Sequence, residues 1–320
     1  MTSLLVCVAL LEVGLRIAAA FVGSRPVPVA TESAERIILA AGDSNVYGWG
    51  CSEDDAYPGQ LQERLDERYP EVFRVVNVGL PGLNSTEVVD RLDGWLDRYR
   101  PTMVLLTVGV NNGWMRGLGG DPEARPEALP ALRILRLLRL LRVSWRRLLD
   151  GPPRTGRPEL ERVVSDDGRV VEQRDRSTGE VLLRHRGNPS HRKPYTTDAA
   201  VRVLRRDLSE IHRKTLRRGA RLVLLTYAGF ELPDRRSQLD EETTRTNAEM
   251  RRLARERGLE LVDVRRRFLR LLPPGAPRSD LFLSEGESHP NARGYEEIVD
   301  QLLEDVDFRT AAGSRSAPES

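Results

Sequence analysis

The sequence predicts an α/β fold in which a parallel sheet is covered by helices on both faces. Five short runs read as continuous apolar strands rather than as alternating ones, starting with Ile37–Ala41 and including Met103–Val108 and Arg221–Tyr227. Helical patterns separate most of these runs. The first three strands also end in turn residues: Gly42-Asp43, Gly79-Leu80-Pro81-Gly82 and Gly109-Val110-Asn111-Asn112. Open α/β sheets bind ligands at the carboxyl ends of their strands, so these turns mark one candidate crevice.

The elements follow in chain order. Ser44 sits on the turn between the first strand and a helix. Tyr57–Tyr69 has helical spacing at Leu61 and Leu65 and is closed by Pro70. Phe73–Val78 is the second strand. Asn84 with Glu87 three residues on forms a capping box for a helix running to about Arg100. After the third strand, Asp198–Arg218 repeats apolar residues at Val201, Leu204, Leu208 and Ile211, and Gly219 stops it. The strand Arg221–Tyr227, the helix Glu241–Arg257, the strand Glu260–Val264 and the helix Asn291–Val306 complete the pattern.

Between the third strand and Asp198 lies an insertion of about residues 115–195. Leu129–Leu149 is a Leu/Arg helix, and Asp166-Asp167-Gly168 and Ser177-Thr178-Gly179 are turn signals flanked by Val/Leu pairs, which predicts small hairpins. Because it follows Asn111 directly, the insertion is expected to overhang the crevice. Residues 1–23 read as a transmembrane anchor or signal segment: Leu4–Val22 is apolar except for Glu12 and Arg16, which share a helix face. An uncleaved anchor is preferred, since Met1-Thr2-Ser3 lacks a positive n-region, although Ala18-Ala19-Ala20 offers a cleavage site. Residues 24–35, with Pro26 and Pro28, are a linker, 36–309 the folded domain, and 310–320 a disordered tail.

Composition narrows the function. A net charge of +2 gives no field for nucleic acid, and Cys7 and Cys51 form neither a disulfide framework nor a metal site. Ser44 at the end of the first strand is a candidate nucleophile. Donors for an oxyanion are available at neighbouring turns: the N–H groups of Ser44 and Gly82 and the Asn111 amide. Of the four histidines, His185 and His191 fall in the hydrophilic insertion and His212 in an Arg-rich helix. His289 precedes the last helix between Glu285 and Glu287, where a carboxylate could orient it as a base.

Together these blocks resemble the SGNH/GDSL hydrolase (GDSL-like lipase/acylhydrolase) family, here as a membrane-anchored bacterial member. They are Gly42-Asp43-Ser44-Asn45, Asn77-Val78-Gly79-Leu80-Pro81-Gly82, Gly109-Val110-Asn111 and His289-Pro290-Asn291 with Gly294-Tyr295. The resemblance implies a flavodoxin-like three-layer α/β/α sandwich with a five-stranded parallel sheet, interrupted by the helix-plus-hairpin insertion. It implies Ser44 as nucleophile, His289 as base, an oxyanion hole of Ser44, Gly82 and Asn111, and no cofactor or metal. The family commonly carries Asp three residues before the His and in some branches two. Here Gly286 and Glu287 fill those positions, which implies Glu287 as the orienting acid with Glu285 as the alternative. Asn112 stands where the family usually has Asp.

The expected function is a serine ester hydrolase of the esterase, lipase or deacetylase type, acting outside the cytoplasm on a small-molecule or glycan ester through an acyl-Ser44 intermediate. The alternatives are an O-acetyltransferase on an envelope polysaccharide and a catalytically dead carbohydrate-binding or scaffold domain. An α/β-hydrolase is disfavoured because no Gly-x-Ser-x-Gly surrounds Ser44.

Overall fold

A computed structural model describes residues 36–114, 159–164, 170–186, 196–229 and 238–309, the last without 274 and 286. The expected membrane segment 1–23, the linker, the Leu/Arg helix 129–149 and the tail lie outside the described residues. Among the described residues no helix is long and apolar enough to cross a membrane.

The chain begins with β1 (Arg36–Gly42), the single turn α1 (Ser44–Tyr47), α2 (Tyr57–Arg68), β2 (Phe73–Asn77), α3 (Ser85–Tyr99) and β3 (Met103–Thr107). From the insertion come β4 (Leu160–Val164), β5 (Val170–Asp175) and β6 (Val181–Arg186). Then follow α4 (Thr197–Arg217), β7 (Arg221–Leu225), α5 (Gln238–Arg257), β8 (Glu260–Val262), α6 (Val264–Leu271) and α7 (Ala292–Asp305). Strands β2-β1-β3-β7-β8 form one sheet, all of whose pairings are parallel. Counting its strands alone, the order is 2-1-3-4-5, that of flavodoxin-like folds. The expected hairpins are one antiparallel sheet, with β5 central and Ser177-Thr178-Gly179 at its second turn.

Successive strand residues face opposite ways, which explains the continuous apolar runs. In β1, Ile38 and Ala40 join a core with Leu61 and Leu65 of α2, Phe268 of α6 and Leu302 of α7. Leu39 and Ala41 join another with Leu92 of α3, Leu204 of α4 and Met250 of α5. Helices on both faces make the three layers.

Local signals set the ends. The Asn84–Glu87 capping box is formed, and Arg100 closes α3 in the left-handed region at φ 46°. Free edge groups of β2 are bonded by Gln62, whose amide donates to Phe73 O (3.0 Å) and accepts from Val75 N (2.6 Å). This blunts an edge that could otherwise pair with another strand. Two helices were not foreseen, the single turn α1, where the sequence indicates only a turn, and α6. The fifth strand was expected to reach Val264 but stops at Val262, because Asp263 accepts from Arg266 N and caps α6.

Gly42 fixes how closely strands meet at the site end of the sheet. Its φ is 156°, and a Cβ there would lie 2.0 Å from the Thr107 carbonyl oxygen of β3. Gly94, exposed within α3, has nothing within 4 Å of such a Cβ. Gly42→Ala should therefore lose about 3 kcal/mol or more from overpacking and backbone strain. Gly94→Ala should gain about 0.5–1 kcal/mol from its lower unfolded-state entropy. Urea unfolding of the two variants checks both signs.

Candidate active site

The register aligns Ala40 of β1 with Asn77 of β2, and Gly42 with Thr107 of β3, so the turns that follow these strands emerge at one sheet edge. Asp43 is the N-cap of α1 and accepts from Asn45 N through Oδ1 (2.9 Å). Ser44 is thereby the first helical residue, whose N–H has no partner within the helix. Among the described residues no acceptor bonds the backbone N–H of Ser44 or of Gly82. Gly82 is the third residue of a turn closed by Leu83 N donating to Leu80 O (3.0 Å). Pro81 at its second position and φ 81° at Gly82 make it type II.

His289 reaches this edge from the loop before α7. Its Nε2 lies 2.8 Å from Ser44 Oγ, and its Nδ1 lies 3.1 Å from Glu287 Oε1. The same Glu287 oxygen accepts from Ser288 N (3.1 Å). Glu285 faces elsewhere: it accepts from Ser279 N (2.9 Å), Ser279 Oγ (2.7 Å) and Arg278 N (3.2 Å). The Ser279 N–H, the Ser279 hydroxyl and the Arg278 N–H hold its carboxyl below the usual carboxylate range. Of the two acids considered, the structure brings Glu287 to the histidine. The ring of Trp49, 43 % exposed, has its centroid 6.4 Å from that of His289.

Asn111 is also at the edge. Its amide nitrogen donates to Asp43 Oδ2 (3.3 Å) and to Leu83 O (3.2 Å), tying the end of β3 to the Ser44 turn and to the Gly82 turn. Its neighbour Asn112 is fully buried and serves structure. It accepts from Ser85 N (2.9 Å) and donates to Ser85 Oγ (2.8 Å) and Ala200 O (3.2 Å). A carboxylate is still present beside it: Asp207 of α4, also buried, accepts from Ser85 Oγ (2.8 Å) and Thr86 Oγ1 (2.6 Å). The Asn-for-Asp exchange therefore leaves an acid bonded to the same serine.

Sequence reasoning missed Tyr227, just beyond β7. Its hydroxyl donates to Asp43 Oδ2 at 2.5 Å. The available signal was positional, an aromatic at the carboxyl end of a strand next to β3. Burial pushes the Asp43 carboxyl above the usual carboxylate range, against the lowering effect of bonds from Tyr227 and Asn45. Burial, then the charge of Asp43, pushes the Tyr227 phenol well above its ordinary value. Among the described residues no cluster of His, Cys, Asp and Glu could hold a metal ion.

The Tyr227 hydroxyl favours the ionised carboxylate, so removing it raises the folded-state pKa of Asp43 further. Tyr227→Phe should destabilise by about 1.5–3 kcal/mol above that pKa, the range for a hydrogen bond to a charged group. The deficit should shrink as pH falls through it, because both proteins then hold Asp43 neutral. Urea unfolding across neutral and acid pH reads this dependence.

Comparison with known proteins agrees with the geometry. Residues 40–297 match the GDSL-like Lipase/Acylhydrolase family. The chain is 33 % identical over 88 residues to Esterase TesA of Pseudomonas aeruginosa, a match covering 27 % of this chain and 42 % of that protein. The chain thus spans less than half of this curated relative. Among solved structures, LAE5, an alpha/beta hydrolase enzyme from the metagenome of Lake Arreo, Spain, superposes with a TM-score of 0.50 at 18 % identity. That match covers 85 % of this chain and 96 % of LAE5. A single-residue variant of Axe2, an acetyl xylan esterase from Geobacillus stearothermophilus, gives 0.50 at 16 % identity, covering 86 % of this chain and 97 % of Axe2. These structures share the fold, while the family match spans the three strand-end turns and the histidine loop. The chain belongs to the GDSL-like lipase/acylhydrolase family.

Proposed function

We propose that the chain hydrolyses carboxylic esters through an acyl-Ser44 intermediate. The observation that carries this reading is the continuous line from Glu287 Oε1 to His289 Nδ1 (3.1 Å) and from His289 Nε2 to Ser44 Oγ (2.8 Å). Nucleophile, base and orienting acid within hydrogen-bond reach are what nucleophilic catalysis by a serine needs.

The chemistry follows from these contacts. His289 Nε2 takes the hydroxyl proton as Ser44 Oγ bonds to the acyl carbon, whose carbonyl oxygen becomes an oxyanion. The Ser44 and Gly82 N–H groups donate to that oxyanion, and Asn111 keeps the two turns that carry them in register and supplies a third donor by turning from the Leu83 carbonyl. Glu287 holds the Nδ1–H and stabilises the imidazolium. Collapse breaks the ester C–O bond as His289 returns its proton to the departing alcohol. Water, deprotonated by the same nitrogen, then attacks the acyl-Ser44 carbon and releases the acid and free Ser44.

The reading includes a site outside the cytoplasm, supported by the apolar run Leu4–Val22, which is long enough for a membrane anchor. Transfer of the acyl group to a sugar hydroxyl would use the same residues. The exposed Trp49 beside His289 offers an apolar face to a pyranose ring under either reading. Acetate release measured with and without sugar acceptors separates the two.

A fluorophosphonate should label Ser44 in the full chain, and an unlabelled protein at neutral pH would point to the scaffold reading instead. Ser44→Ala should lower kcat on p-nitrophenyl acetate by on the order of 10⁶. Glu287→Gln should lower it by up to about 10⁴, with Glu285→Gln near wild type. The reverse order for the two glutamates would assign the acid to Glu285.

A further inference from the structure

Among the described residues, the inserted sheet reaches the site through a hydrogen bond to one peptide group. Gln173 Nε2 of β5 donates to the Pro81 carbonyl oxygen at 3.0 Å. That carbonyl belongs to the same peptide unit as the Gly82 N–H, the donor assigned above to the oxyanion. From this contact we infer that Gln173 is a positioning residue, by which the insertion locks the Pro81–Gly82 peptide in its donating orientation. The inference rests on the hydrolase reading.

The turn itself shows why a lock matters. Leu80-Pro81-Gly82-Leu83 is type II, with Gly82 at φ 81°. Type I and type II turns share their first and last residues and differ in the rotation of the central peptide. In type I that peptide is turned over, and the third residue has φ near −90°. Proline at the second position suits both types, and glycine at the third tolerates either sign of φ. These four residues alone therefore leave two orientations open. In one the Gly82 N–H is available to substrate, and in the other a carbonyl takes its place.

Contacts at the turn's ends do not choose between them. Leu80 N donates to Gly42 O (3.0 Å), and Asn111 Nδ2 donates to Leu83 O (3.2 Å), but neither touches the central peptide. Among the described residues, Gln173 is the side chain that bonds the Pro81 carbonyl. In a trans peptide the carbonyl and N–H point in opposite directions, so holding the carbonyl toward β5 directs the Gly82 N–H away from the inserted sheet. Donation to a carbonyl also polarises the N–H of the same unit, which strengthens it as a donor. Gln173 Oε1 is buried with no hydrogen-bond partner among the described residues. The side chain's polar contact is thus made through its donor end. β5 is itself tethered, since its neighbour β6 accepts from Arg91 Nη2 of α3 at Leu182 O (2.9 Å).

Two variants of the full chain test the inference. Gln173→Leu keeps the shape and removes the donor, and it also removes a buried acceptor that has no partner, which makes it compatible with folding. Gln173→Glu presents a carboxylate that repels the Pro81 carbonyl. Both should lower kcat on p-nitrophenyl acetate, by between about 10 and 10³ with Glu the worse, the ceiling being the loss of one oxyanion donor. KM should stay within about twofold, because the lost interaction forms only in the transition state. Affinity for a boronic acid that adds to Ser44 should fall in parallel, and the Gly82 amide proton should move upfield in the NMR spectrum. Loss of packing alone would lower the melting temperature without this kcat-specific pattern. Wild-type kcat in Gln173→Leu, or a rise in KM at constant kcat, would overturn the inference while leaving the hydrolase reading intact. A wild-type chain that neither hydrolyses the ester nor takes fluorophosphonate would overturn both.

Discussion

The site is built around the carboxylate of Asp43. It is fully buried, and burial raises its pKa, so its ionised form persists only where donors surround it. Those donors come from three strand ends. Asn45 N lies after β1, Asn111 Nδ2 after β3, and the Tyr227 hydroxyl after β7. One acceptor thus starts the helical turn carrying Ser44, holds the asparagine that reaches across to the Gly82 turn, and ties in a strand two places from β1. Each bond satisfies part of a charge that would otherwise be costly in the interior. The geometry is over-determined, as a preorganised site requires.

Around that group, space is the second constraint. A Cβ at Gly79 would come within 2.5 Å of Tyr47 N, as one at Gly42 would meet the Thr107 carbonyl. The turns after β1 and β2 therefore approach backbone to backbone, which no side-chain-bearing residue would allow. Further back, Asn112, Ser85 and Asp207 join the end of β3 to the start of α3 and to α4. The Asn84 capping box then fixes where α3 begins, immediately after the Gly82 turn. The crevice rests on hydrogen bonds between elements that the two hydrophobic cores have already stacked.

Much of this was legible in the sequence for identifiable reasons. Continuous apolar runs mark strands buried on both faces, and the parallel sheet follows from them. Asn84 with Glu87 and Gly219 after the α4 pattern are local signals, and the structure uses them locally. What sequence could not carry were contacts whose partners lie far apart along the chain. The Tyr227 bond to Asp43 spans 184 residues and the Gln173 bond to Pro81 spans 92. α6 escaped because Arg265, Arg266, Arg267 and Arg270 obscure its short apolar face, formed by Val264 and Phe268. The choice between Glu285 and Glu287 was open because both flank the same histidine. Loop geometry separates them by sending Glu285 to the N–H groups of Arg278 and Ser279.

The acid's position has a consequence for how the histidine is held. Two residues before His289, the carboxylate must fold back over Ser288 to reach Nδ1, and its Oε1 accepts from Ser288 N on the way. The longer glutamate side chain supplies that reach. The cost is exposure: the Glu287 side chain is 41 % accessible, whereas that of His289 is 18 %. Water screens a charge so placed, so in the proposed mechanism its electrostatic support of the imidazolium is weaker than that of a buried acid. Orientation of the ring is then its larger contribution, and the bond to Ser288 N keeps the carboxylate in place for it. In that mechanism stabilisation of developing charge falls mainly to the oxyanion donors. Their alignment would depend on the Asp43 network and the type II turn, while the acid would act by holding the His289 ring toward Ser44.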